Sequence, residues 1–146
     1  MGFGSTTAIA PQPINVTPEI RLSVQNAFIA PTATEKGSTN SETINKTIDY
    51  YCNKYGVKSW IIKTIVKKES SYNINAVHYN DGRIGLHSYG MLQFQPPTFL
   101  HFNIQFINAG YLDTFLDIDN WQDQIIMATL MIKNGYCYHW TTCPLK

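Results

Sequence analysis

In the segment "SWIIKTIVKKESSY" the residue best able to move a proton is Glu69. Wound as a helix at about 100° per residue, the segment sets Glu69 about 20° from Ile62, about 40° from Ile65 and about 60° from Val66. Glu69 then lies in the apolar stripe, while Lys67 and Lys68 point elsewhere. Lysines suit a helix C-terminus, where the backbone carbonyls carry partial negative charge. A carboxylate there is disfavoured by that charge and again by burial, and both favour its protonated form. A protonated carboxyl in an apolar setting can serve as a general acid. The competing reading is a helix that ends one turn early and leaves Glu69 in a solvated loop.

A second group of residues follows at Tyr89-Gly90-Met91-Leu92-Gln93-Phe94-Gln95-Pro96-Pro97-Thr98. Gly90 allows close approach to the backbone, and the Gln93 amide can both donate and accept. Tyr72, Tyr89, Phe94, Tyr136, Tyr138 and Trp140 offer flat apolar faces. Sugars present apolar C–H faces ringed by hydroxyls, so aromatic faces beside amides and hydroxyls suit a glycan groove. Each residue also has a plainer role. Gln93 can satisfy buried backbone groups, Ser70 can cap a helix end, and Tyr72, Tyr89 and Phe94 can pack a core.

The elements that must position these residues read as mostly helical. Residues 1 to 41 are rich in Pro, Thr, Ser, Ala and Asn without a sustained period, which predicts a flexible arm or linker. The domain then spans residues 42–146. Ile44, Ile48, Cys52 and Tyr55 recur at helical spacing and Gly56 closes that helix. Ser59 caps a second helix from Trp60 to about Ser70. "AVHYNDGRIGLHSYG" carries the Asp81-Gly82 turn signal and predicts a small hairpin or irregular loop. "PPTFLHFNIQFI" starts a third helix, and Asp119-Asn120 caps a fourth carrying Trp121, Ile125, Ala128 and Ile132 on one face. The tail "YCYHWTTCPLK" is aromatic and irregular.

The chain of 146 residues suits one such domain. Charged residues make up only 14% and the formal net charge is +1, with Lys and Arg scattered, so no nucleic-acid footprint is present. No apolar run approaches the length of a membrane span, so no stable membrane insertion is expected. The N-terminus lacks an intact signal peptide, and a secreted protein could have lost one. The histidines His78, His87, His101 and His139 read as loop or surface residues, and no metal or cofactor is called for.

"ESSYNINA" and "YGMLQFQPPTF" resemble the E-S-x-F-x-P-x-A and G-L-M-Q-x-x-P-x-T motifs of the lytic transglycosylase (SLT) domain, a family related to goose-type lysozyme. The resemblance covers roughly Ile44 to Cys143 in layout. It implies a mainly α, lysozyme-like α+β domain with a small β insert after the catalytic helix. It further implies cleavage of the β-1,4 bond between N-acetylmuramic acid and N-acetylglucosamine in peptidoglycan. Glu69 falls on the family's catalytic acid, Ser70 on its following serine, and Gly90, Met91 and Gln93 on its groove motif, which Tyr89 precedes. Ile74 stands where the first motif has proline, and the stretch from Ala76 to Gly90 is longer than in many relatives. The later tyrosine-asparagine motif has no clean copy, so the groove tyrosine is Tyr136 or Tyr138.

A glycosidase commonly uses two carboxylates. Asp81, the only acid between the motif blocks, sits on an expected turn tip, and Asp113, Asp117, Asp119 and Asp123 suit capping. A one-acid mechanism is therefore expected: Glu69 protonates the glycosidic oxygen, the substrate N-acetyl group assists, and the C6 hydroxyl closes a 1,6-anhydro ring. The alternatives are hydrolysis, with a water oriented by Asp81, and a non-catalytic peptidoglycan-binding module. The expected partner is the peptidoglycan glycan strand, met by a monomer in the periplasm, at the cell surface or outside the cell. For a protein outside the cytoplasm, Cys52 is expected to pair with Cys143, with Cys137–Cys143 as the local alternative. The long loop would stabilise by about 4 kcal/mol.

Overall fold

Among the described residues, four α-helices and one short hairpin build the domain. The computed structural model describes residues 40–82 and 84–145; the segment expected to form the N-terminal arm lies outside the described residues up to residue 39. Helix α1 spans Ser41–Tyr55. Asn40 caps it by accepting the Thr43 N–H at 2.8 Å, and Gly56 ends it in the left-handed conformation. Helix α2 spans Ser59–Ser70, with Lys58 rather than Ser59 at the cap position. The helix therefore runs through Glu69 and does not end a turn early.

Strands β1, Val77–His78, and β2, Ser88–Tyr89, pair antiparallel with Val77 opposite Tyr89 and His78 opposite Ser88. The hairpin is where the sequence placed it, but Asp81-Gly82 does not form a two-residue turn. The strands are joined through residues 79–87, and the Asp81 N–H closes that loop on the Leu86 carbonyl at 2.8 Å. Helix α3 spans Pro96–Asn108 with its prolines in the first turn, where no N–H partner is lost. Helix α4 spans Trp121–Lys133, and Asn120 caps it by accepting the N–H groups of Gln122 and Asp123. A 3-10 turn, Tyr136–His139, follows.

Helix α4 is the central element: it packs against α1, α2, α3 and the 3-10 turn. Its Ile125, Met127, Ala128, Leu130 and Met131 have no exposed surface, nor have Ile44 and Ile48 of α1 or Ile62, Ile65 and Val66 of α2. Phe99, Phe102 and Phe106 bring the apolar face of α3 to the same core. No helix among the described residues is long and apolar enough to cross a membrane.

The disulfide joins Cys137 to Cys143, with Cα atoms 5.9 Å apart, and Cys52 is free. This corrects the expected Cys52–Cys143 pairing. Cys52 lies on the face of α1 turned to α4, where its sulfur sits 4.0 Å from the Thr129 hydroxyl oxygen. The 3-10 turn after α4 instead folds the tail back so that Cys143 meets Cys137 locally.

Candidate functional site

Glu69 occupies the last turn of α2, one position before the helix ends in a left-handed Ser71. Its neighbours in the apolar stripe are fully buried, yet Glu69 itself is only half-buried. It stands where the stripe leaves the core and opens on a cleft of about 420 Å³. The cleft is lined by Glu69, by His78 and Asp81 of the hairpin region, by Gln93, Gln95 and Thr98, and by His139 and Trp140 of the tail. The Thr142 hydroxyl donates to one carboxyl oxygen of Glu69.

The two motif blocks are tied together by the residue after the acid. The Ser70 hydroxyl bonds the Val66 carbonyl at 3.3 Å and the Met91 carbonyl at 2.9 Å. The serine thus fastens the end of α2 to the loop after β2 and does not face the cleft. In that loop Tyr89 and Phe94 exchange both backbone hydrogen bonds, at 2.9 and 3.0 Å, which closes Gly90 to Gln93 into a tight turn. Gln93 takes a positive φ of 52°, a conformation that costs a non-glycine residue free energy. Its side-chain amide donates to the Gly90 carbonyl at 2.7 Å and the Ala76 carbonyl at 3.3 Å, so it both lines the cleft and satisfies the turn.

Gly90 and Met91 face inward. Met91 has no exposed surface. A Cβ on Gly90 would come within 1.9 Å of the Gln124 side chain. Gln124, buried in α4, accepts the Leu92 N–H at 3.2 Å and donates to the Ile118 carbonyl at 2.6 Å. These residues shape the turn that carries Gln93 and are absent from the cleft wall. Tyr89 is half-buried and lies 6.4 Å, ring to ring, from His87. Tyr72 packs against the core with its hydroxyl on Asn45 at 3.1 Å, while Phe94 packs in the core and also contributes to the cleft wall.

Tyr136 and Tyr138 lie on a second cavity of about 480 Å³, with His101, Phe102 and Gln105. This cavity shares Thr98 and His139 with the first. The Tyr136 hydroxyl accepts from Gln105 at 2.8 Å. Tyr138 is 63% exposed and stacks on His139 at 4.7 Å. Partial burial, and then the neighbouring His101, hold His139 below the ordinary histidine range, so it favours the neutral form.

Asp81 stays in the loop between the strands, where the sequence placed it, and also lines the cleft. It faces the cleft and accepts from the Ser88 hydroxyl, while the Gln95 amide donates to its carbonyl at 3.1 Å. His78 stands 4.0 Å from its carboxylate. The expected surface positions of His78 and His139 hold, since both are exposed, and both also line the cleft with Gln95; neither Gln95 nor Thr142 was singled out by the sequence reading. Among the described residues, no three His, Cys, Asp or Glu side chains are grouped to hold a metal ion.

An acid at a helix end, facing a cleft with amides, imidazoles and an exposed tyrosine beside it, can protonate a leaving oxygen on a polyhydroxylated ligand. The family model for the Transglycosylase SLT domain matches residues 46–137. No curated protein and no solved structure matches the chain.

Proposed function

The chain belongs to the transglycosylase SLT domain family, which carries a transglycosylase-type action on peptidoglycan, and from that premise we propose that it is a lytic transglycosylase with Glu69 as its acid and base. The observation that carries this reading is the half-buried Glu69 opening from the apolar end of α2 onto the cleft.

Glu69 in its protonated form gives its proton to the oxygen linking N-acetylmuramic acid to N-acetylglucosamine. The substrate's own N-acetyl group supports the electron-poor sugar carbon. Glu69, now a carboxylate, takes the proton of the C6 hydroxyl, whose oxygen closes the 1,6-anhydro ring. The acid is thereby restored and no water is consumed. The side-chain amide N–H groups of Gln93 and Gln95 are engaged by Gly90, Ala76 and Asp81, which leaves their amide oxygens as acceptors for sugar hydroxyls along the cleft. The exposed face of Tyr138, beyond the shared Thr98 and His139, offers a platform for a neighbouring sugar ring. The Cys137–Cys143 bridge favours work in an oxidising compartment: the periplasm, the cell surface or the medium.

A second reading has one observation in its favour. Asp81 faces the same cleft as Glu69, with its carboxylate held by Ser88, and could orient a water for hydrolysis. Digestion of purified peptidoglycan followed by mass spectrometry separates the two. The transglycosylase yields muramoyl ends lighter by one water and takes up no label from heavy-oxygen water. The hydrolase yields labelled reducing ends. Glu69→Gln should lower turnover about 1,000-fold while melting like the parent. Parental turnover in that variant would remove Glu69 from the reaction, and no cleavage by the parent would leave a binding module.

A further inference from the structure

The contact that holds the Glu69 carboxyl comes from the far end of the chain. Thr142 donates its hydroxyl to Oε1 of Glu69 across 73 positions of sequence. Thr142 is itself held on both sides. Two residues before it, the Trp140 ring N–H donates to the Leu92 carbonyl at 2.8 Å, and Trp140 is buried against Phe94 at 5.4 Å. Immediately after it, Cys143 is bridged to Cys137 and donates its N–H to the Trp140 carbonyl at 3.2 Å. Cys137 is carried by the 3-10 turn that packs on α4. A covalent bond therefore connects the turn after the central helix to the residue beside Thr142.

We propose that Thr142 is the positioning residue of the Glu69 carboxyl and that the Cys137–Cys143 bridge holds its hydroxyl in place, so that opening the bridge slows the enzyme. The inference rests on Glu69 being the acid. With Oε1 engaged by the hydroxyl, Oε2 is the oxygen left to give and take the proton in the cleft. Without that hydrogen bond the carboxyl turns freely about its last torsion and spends less time aimed at the scissile oxygen. Substrate binding relies on the cleft walls and is unchanged, so the loss belongs to kcat and not to KM. Dithiothreitol supplies the two electrons and two protons that open the bridge to two thiols, and itself becomes a cyclic disulfide. The freed tail keeps its Trp140 anchor but loses the one beside Thr142.

The test uses the full chain on soluble, uncross-linked glycan strands. Thr142→Val keeps the shape and removes the hydroxyl; Thr142→Ser keeps the hydroxyl. The valine variant should lose about 10- to 100-fold in kcat with KM unchanged, and the serine variant should restore most of it. Cys137→Ser/Cys143→Ser, or dithiothreitol on the parent, should lower kcat in the same direction. Opening the bridge in Thr142→Val should add little, because the contact it protects is already gone. A purely structural bridge would cost as much in that background, which would overturn its link to Thr142. A parental kcat in Thr142→Val, or a serine variant as slow as the valine one, would overturn the positioning role. As a readout free of turnover, the carbon-13 resonance of the Glu69 carboxyl, assigned with Glu69→Gln, should move in Thr142→Val and stay in Thr142→Ser. If Glu69→Gln turns over like the parent, the acid assignment falls first, whatever the Thr142 variants do.

Discussion

Asp81 and Glu69 illustrate how a carboxylate's role is set by what holds it. Both face one cleft, but Asp81 is engaged by Ser88 and Gln95 within the hairpin region, whereas Glu69 ends a helix and meets the tail. In the one-acid reaction Asp81 acts on the shape of the hairpin loop. Asp81→Asn keeps an oxygen for the Ser88 hydroxyl, so turnover on peptidoglycan should stay within about tenfold of the parent. A loss approaching that of Glu69→Gln, measured in the same assay, would transfer the argument to hydrolysis.

At the scale of elements, the loop after β2 depends on a side chain from another helix. Gln124 bonds the Leu92 N–H and the Ile118 carbonyl, and Gly90 rests on it with a φ of 72°. Gly90→Ala should destabilise the domain by about 3 kcal/mol, through strain at positive φ and displacement of the buried amide. A denaturant midpoint unchanged from the parent would show that the loop adapts. Helix periodicity, the Asn120 cap and the place of Glu69 on the apolar stripe were legible in the sequence because they depend on residues three or four apart, whereas the cap of α2 fell on Lys58 and not on Ser59. By the same phase rule Gln124 lies about 20° from Met131 and about 40° from Ala128, so its burial was also open to reading. The hydrogen bond from Thr142 was not, because nothing local relates residue 142 to residue 69. The cysteine pairing failed for the same reason: loop length favoured Cys52, while the path of the tail after α4 favoured Cys137. Tyr136 and Tyr138 were expected in the groove of the acid, and the turn carries them to the adjoining cavity.

At the scale of the whole molecule, Cys52 reports on the packing of α1 against α4. Burial pushes its thiol up to about 11 from an ordinary 9.0. The folded state therefore keeps a proton that the unfolded chain gives up at lower pH. This contribution to stability is fully present below pH about 9 and is lost as pH rises towards about 11, a total of about 2–3 kcal/mol. Denaturant unfolding across that range should show a steeper alkaline loss in the parent than in Cys52→Ala; equal slopes would place the thiol in contact with water. The bond between Thr142 and Glu69 spans 73 positions, and the one between Trp140 and Leu92 spans 48. Closing contacts so distant along the chain costs more loop entropy than forming the local helices does. Glu69 meets its hydrogen-bond partner Thr142 only when residues 140–143 have docked. On the proposed reading of Glu69 as the acid, activity arrives together with the docked tail and not with the helix that carries the carboxyl.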